Sequence, residues 1–339
     1  MSDLLIGWDV GGAHLKRAVL EPDGTLVSIH LAPCALWQGL DRLQTAMAAM
    51  PPASGHSVVT MTGELVDLWP DRATGVIDIA TELGVLLGPD TRIYAGRAGF
   101  VSLSEAHLNT ADIASANWHA TAAALAAIAG DGILADIGST TTDLILFAGS
   151  QLCFRGYSDA ARLESGELVY SGAARTPVMA LAQALPFRGR LVPLMAEYFA
   201  TTADVHRLTG ELPDGADLHP AADGGEKTCE ASARRLLRMV GRDLGPATME
   251  EAKALAAAAA EVQMHRLHMA LAQIVSAGGA APDAPLIGAG VGRFLVGRLA
   301  QRVGRPYRHA GLLLAGDTRL AGLAADCAPA VAVARLAFN

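Results

Sequence analysis

One pattern, written twice, constrains this chain more than anything else in it. Leu4-Leu5-Ile6-Gly7-Trp8 runs into Asp9-Val10-Gly11-Gly12-Ala13-His14-Leu15-Lys16 and leaves through Ala18-Val19-Leu20. Gly132-Ile133-Leu134-Ala135 runs into Asp136-Ile137-Gly138-Ser139-Thr140-Thr141-Thr142-Asp143 and leaves through Leu144-Ile145-Leu146-Phe147. Each reads as strand, tight turn, strand. Asp9 matches Asp136 and Gly11 matches Gly138 at a single offset of 127 residues, and at that offset Lys16 falls opposite Asp143. One hairpin therefore ends in a cation and the other in an anion. Two registered copies point to two α/β lobes, with the hairpins expected to face each other across a cleft.

The residue types suit phosphate. The turns at Gly11, Gly12 and Gly138 offer backbone N–H groups, and Ser139, Thr140, Thr141 and Thr142 add hydroxyls in one small volume. Asp9, Asp136 and Asp143 suit a hard cation such as Mg²⁺, which takes oxygen ligands and phosphates together. The competing reading is that each aspartate caps its own turn. Lys16 is a compact charge fitted to a leaving diphosphate, or else a solvated strand-end lysine. The formal charge of −8 and the lack of any basic run argue against nucleic acid or an anionic membrane surface as partner. Positive charge for a phosphate must then come locally, from Mg²⁺, Lys16 and backbone dipoles.

The chain is 51% apolar and 5% aromatic, with alanine dominant, so helices packed through small side chains are expected. Helices are read over Leu36–Met50, Gly75–Leu87, Ala111–Ala129, Leu191–Thr201, Asp204–Leu208, Cys229–Val240 and Met249–Val275. Residues 149–189 read as a long irregular segment, and loops of that length commonly carry chemistry. Cys34, Cys153, Cys229 and Cys327 show no metal-ligand spacing, and Met1-Ser2-Asp3 carries no basic segment. A reduced, cytoplasmic protein is the expectation. Glu261, His265 and His268 share a helix face at a spacing that can bind zinc, though the sequence shows no further ligand cluster and the helix is long and Ala-rich.

The order of motifs resembles the actin–Hsp70–sugar-kinase superfamily. Beside the two hairpins, Asn117–Ala126 and Cys327–Leu336 look like its crossing helices, and Gly288-Ala289-Gly290-Val291-Gly292 looks like its adenosine-side loop. The resemblance implies a two-lobed, ribonuclease H-like α/β fold with a central interlobe cleft. The expected first lobe is 1–145 completed by 326–339, and the second 146–325. A narrower resemblance rests on Met61-Thr62-Gly63-Glu64-Leu65-Val66-Asp67, Gly166–Tyr170, Arg175–Val178 and Glu197–Val205. These stretches are similar to the hydantoinase A/oxoprolinase-related group, and within it to the synthases of methanofuran and methylofuran biosynthesis. That implies a transferase joining an aminomethylfuran-methyl diphosphate to the phenol oxygen of tyrosine or a tyramine-like acceptor, with loss of pyrophosphate.

On that reading Lys16, Asp136, Asp143 and Arg175 carry the catalysis, and Gly288, Gly290 and Gly292 join the phosphate contacts. Glu64, Asp67, Arg162, Glu164, Thr176, Glu197 and Asp204 are substrate-binding candidates. Arg175 fits an anion in bidentate fashion, or an ion pair between lobes. Glu64 and Asp67 fit an aminomethyl cation, or a helix start. Glu197 and Asp204 share a face if one helix spans both. Two alternatives stay open: an ATP-dependent kinase or ATPase-coupled hydantoinase/oxoprolinase-type enzyme, and a nucleotide-gated binding protein.

Overall fold

A computed structural model describes residues 4–338; Met1-Ser2-Asp3, read above as lacking a basic segment, lies outside the described residues. The chain divides into two compact units. The first comprises Met1–Gly132, Phe147–Cys153 and His309–Asn339, and the second Ile133–Leu146 and Phe154–Arg308. The second hairpin thus belongs to the second unit, not to a first lobe ending at 145, and the return to the first unit begins at 309 rather than 326. Sheet pairing is the reason, as the strands below show.

In the first unit the strands are β1 (Leu4–Val10), β2 (His14–Leu20), β3 (Leu26–Pro33), β4 (Gly55–Met61), β5 (Arg92–Tyr94) and β6 (Phe100–Ser102). They form one sheet in the order β3-β2-β1-β4-β5-β6. β1 pairs antiparallel with β2 and parallel with β4, so it is central, and all but its first residue are buried. A strand covered on both faces is nearly continuous in apolar residues, which accounts for Leu-Leu-Ile-Gly-Trp. The helix Ala328–Leu336 lies directly on it. A Cβ added at Gly7 would overlap the Ala330 carbonyl and come within 2.8 Å of the Ala334 Cβ. Close approach of this kind needs small side chains on both partners. The helices Asn117–Ala129 and Ala328–Leu336 also pack on one another, and their alanines are buried.

The second unit repeats the plan. Its strands β7 (Gly132–Ile137), β8 (Thr142–Ala148), β10 (Leu168–Val169), β13 (Leu286–Ala289) and β14 (Tyr307–His309) run in the order β10-β8-β7-β13-β14, and β9 (Gln151–Leu152) pairs with the end of β8. β7 pairs parallel with β13, and β8 antiparallel with β10. With each first strand numbered one, and the short β6 and β9 set aside, both sheets share the order 3-2-1-4-5. The 127-residue echo is therefore an echo of architecture. A separate two-stranded sheet joins β11 (Ala184–Phe187) to β12 (Arg190–Pro193).

Four expectations change. Leu191–Thr201 is not helical: its first residues are β12, and the turn before it places Arg188 and Gly189 at φ 49° and 71°, the left-handed pair of a tight hairpin. Glu197 and Asp204 therefore share no helix; the helix begins at Thr202. Ala111–Ala129 is broken by Ser115 at φ 55°, leaving Thr110–Ile113 and Asn117–Ala129. Gly39, at φ 138°, divides Leu36–Met50 into a 3-10 turn at Leu36–Gln38 and a helix at Asp41–Ala48. The 149–189 segment is also more regular than expected, with a helix at Asp159–Ser165. None of the described helices is long and apolar enough to cross a membrane.

Candidate phosphate-binding site

In the first unit, Asp9 near the end of β1 is the register partner of Lys16 on β2. The Lys16 ammonium donates to Asp9 Oδ2 at 3.1 Å, and Asp9 is 2% exposed. Its Oδ1 is buried without a hydrogen-bond partner. A buried carboxylate oxygen left so is costly, and it is an acceptor available to a cation. Gly11 N–H donates to the His14 carbonyl at 3.0 Å and closes the turn. Thr62 N–H donates to the Val10 carbonyl, which brings the segment after β4 alongside. There Glu64 lies in a 3-10 turn, 2% exposed, accepting from Ser115 Oγ at 2.9 Å while its Oε2 is buried without a partner. Burial pushes the Glu64 carboxyl up to about 7, against the pull of its hydrogen bonds and of Arg72. Asp67 is exposed.

In the second unit the turn is closed the same way: Gly138 N–H donates to the Thr141 carbonyl at 2.9 Å. A corner at residues 171–175 backs it. Ala173 N–H donates to the Gly138 carbonyl, and the N–H groups of Ala174 and Arg175 donate to the Ser139 carbonyl at 3.1 and 2.8 Å. A Cβ at Gly172 would lie 2.5 Å from the Ser139–Thr140 peptide, so corner and turn are flush. Arg175 is exposed and donates to Thr140 Oγ1 at 3.3 Å. The third loop comes from the end of β13. Gly290 has φ 76°, and a Cβ there would lie 2.5 Å from Asp136 Oδ1 and closer still to the Ile137 carbonyl. Only glycine fits. Gly292 N–H donates to the same carbonyl at 2.8 Å.

Within this unit the sequence-predicted set divides cleanly. Asp136, Gly138 to Thr141, Arg175 and Gly290 gather at one end of the sheet. Asp143, expected as a metal ligand, instead takes a hydrogen bond from the buried guanidinium of Arg162, which also pairs with Asp159 at 3.5 Å. Burial raises the Asp143 carboxyl above the usual range, opposed by Arg162. Arg162 is accordingly a partner of Asp143 rather than an open substrate contact. Asp204 accepts from Ser232 Oγ, Arg235 Nε and the Thr201 N–H, so both its oxygens serve the fold. Thr176 is buried and accepts from the Gly172 N–H. Thr142 Oγ1 is likewise turned inward, donating to the Ser171 carbonyl at 2.6 Å. Glu164 and Glu197 are exposed. Among the described residues no three His, Cys, Asp or Glu side chains are grouped to hold a metal, so Glu261, His265 and His268 form no such site; Glu261 pairs with Arg298 and Arg302. The supporting corner Ser171-Gly172 went unread in the sequence; its one visible signal is the run of small residues ending in Arg175.

The pattern of the hydantoinase/oxoprolinase family matches residues 56–312. The chain belongs to that family. This hydantoinase/oxoprolinase-family protein is 32% identical over 244 residues to the (4-{4-[2-(γ-L-glutamylamino)ethyl]phenoxymethyl}furan-2-yl)methanamine synthase of Methanocaldococcus jannaschii, a match covering 72% of this chain and 73% of that one. A Methanococcus vannielii protein of the same name is 29% identical over 119 residues, 35% of this chain and about half, 53%, of that one. Among solved structures, a chain of nucleotide-free acetone carboxylase superposes with a TM-score of 0.56 at 12% identity, covering 98% of this family member and 70% of that chain. That likeness concerns fold alone, and it agrees with the α/β sheets found in both units of this family member.

Proposed function

We propose that this protein is an ether-forming transferase of methanofuran-type cofactor biosynthesis. It joins an aminomethylfuran-methyl diphosphate to the phenol of tyrosine or a tyramine-like acceptor and releases pyrophosphate. The observation that carries this reading is the 32% match to a synthase whose name contains a phenoxymethylfuran, an aryl ether of this kind. The hydroxyl turn supports it, since it suits the diphosphate that such a reaction expels. In the step, the carbon–oxygen bond to diphosphate breaks and a bond to the phenol oxygen forms. The phenolic proton leaves with the departing diphosphate. The furan ring spreads the developing positive charge, so the protein's task is to hold the leaving group and aim the acceptor.

The Ser139, Thr140 and Thr141 hydroxyls and nearby amides bind the diphosphate in this scheme, and Arg175 adds a positive charge at the rim. The donors fit Mg²⁺, which keeps several waters and needs only one or two protein carboxylates. Asp136, beside Gly290, is the carboxylate we assign to it. The orphan Oδ1 of Asp9 suits the same class of ion in the first hairpin. Bound Mg²⁺ would neutralise charge on the leaving group. Asp143 holds Arg162 instead.

The test is incubation with a furanmethyl diphosphate, Mg²⁺ and tyrosine or tyramine, with pyrophosphate and ether followed by mass spectrometry. Ether and pyrophosphate should appear together, and Asp136→Ala should lower turnover by roughly a hundredfold or more. Release of ADP from ATP without ether would replace this reading with the ATP-dependent one.

A further inference from the structure

His206 and Gln263 are two fully buried polar side chains; the helix of Gln263 buries otherwise apolar residues, and that of His206 also buries Thr202 and Asp204. His206 lies on the helix Thr202–Thr209 between Val205 and Leu208, and Gln263 lies mid-way along Met249–Ser276 beside Met264. Burying such groups costs free energy unless they are hydrogen-bonded. His206 Nε2 meets Gln263 Oε1 at 2.8 Å, and Gln263 Nε2 meets the Gly172 carbonyl at 2.8 Å and Ser171 Oγ at 3.0 Å. The Gly172 carbonyl can only accept, so the amide nitrogen of Gln263 faces it and the amide oxygen faces His206. His206 therefore carries its proton on Nε2. Its Nδ1 is buried without a partner, and burial lowers the imidazole pKa, so the neutral ring is favoured.

What this relay holds is the corner behind the hydroxyl turn. Ser171 and Gly172 are the residues Gln263 grips, Thr142 Oγ1 donates to the Ser171 carbonyl, and Gly172 sits flush on the Ser139–Thr140 peptide. The other face of His206 meets Phe294 edge to face, ring centroids 5.1 Å apart. Phe294 lies in the first turn of the helix that follows the Gly288–Gly292 loop. One imidazole thus braces two loops of the candidate site from behind.

We propose that His206, acting through Gln263, is a positioning residue that sets the hydroxyl turn for phosphate binding. The inference rests on the phosphate role proposed above for this turn, and not on the identity of the phenol. The probe is pyrophosphate with Mg²⁺, and the readout is its affinity by calorimetry. His206→Leu removes the donor and His206→Gln keeps one at a similar reach. H206L should still melt cooperatively but bind about tenfold more weakly, while H206Q should recover affinity to within about threefold of the parent. Amide exchange at residues 138–141 and 173–175 should quicken in H206L and return toward the parental rate in H206Q. Should H206L fail to fold, Gln263→Met removes the amide at similar chain length and gives the same comparison. A folded H206L with affinity within about twofold of the parent overturns the proposal, as does an H206Q as weak as H206L. A parent protein that binds neither Mg²⁺–pyrophosphate nor Mg²⁺–ATP overturns the phosphate role itself, and the inference with it.

Discussion

Glu64 shows what burial does to a single carboxyl. One oxygen has a hydroxyl donor and the other has nothing, so the neutral acid is favoured and its pKa stands at about 7 rather than 4.5. The folded state therefore holds its proton more tightly than the unfolded chain does. The stability this contributes is complete below pH 4.5 and is lost as pH rises through about 7. The shift corresponds to something on the order of 3 kcal/mol. Glu64→Gln keeps an acceptor for Ser115 and removes the titration. Urea unfolding at pH 5 and pH 8 should show the parent losing stability relative to E64Q by a large part of that amount, and parallel curves would refute the assignment. The sequence made Glu64 visible, since it follows a strand and a glycine. It did not make visible that Asp204 faces Arg235 and Asp143 faces Arg162. Those partners come from distant helices, and a carboxylate awaiting a ligand is written with the same letter as one already satisfied.

At the scale of elements, the third loop makes its argument through glycine. Gly290 combines a positive φ with contact on two sides, by Asp136 Oδ1 and the Ile137 carbonyl. Gly290→Ala must push the loop away from β7. The backbone strain alone is of the order of 1 kcal/mol or more, and the steric displacement adds to it. Mg²⁺–pyrophosphate affinity should fall by at least tenfold, while the distant β11–β12 hairpin keeps its amide protection. Unchanged affinity in G290A would mean that this loop does not shape the site. Much of this level was legible in advance: the hairpins and their echo follow from periodicity and glycine placement, and the helices at Asn117–Ala126 and Cys327–Leu336 and the Gly288–Gly292 loop from the family resemblance. Where the reading failed, a backbone detail decided. Arg188-Gly189 turned an expected helix into a hairpin, and Ser115, a residue with no strong preference for positive φ, broke a helix that its alanines would otherwise continue.

For the whole molecule, a ligand that binds only the folded chain must stabilise it. Mg²⁺–pyrophosphate at one hundred times its Kd should add about 2.7 kcal/mol to the unfolding free energy. ATP at equal concentration should add less. A larger thermal shift with ATP, accompanied by hydrolysis, would favour the nucleotide-dependent alternative. The first unit has a property of another kind. Its central strand β1 is closed over by the helix Ala328–Leu336, which contacts Gly7 so nearly that no methyl group fits between them. A chain made from its N-terminus on a ribosome therefore carries an unroofed β1 through the synthesis of some three hundred residues, at about 5–20 residues per second. The second unit, whose 133–146 and 154–308 segments are all made earlier, can settle before that roof exists. The unit begun first is the unit finished last, and in the interval β1 keeps an apolar face that its own helix has yet to cover.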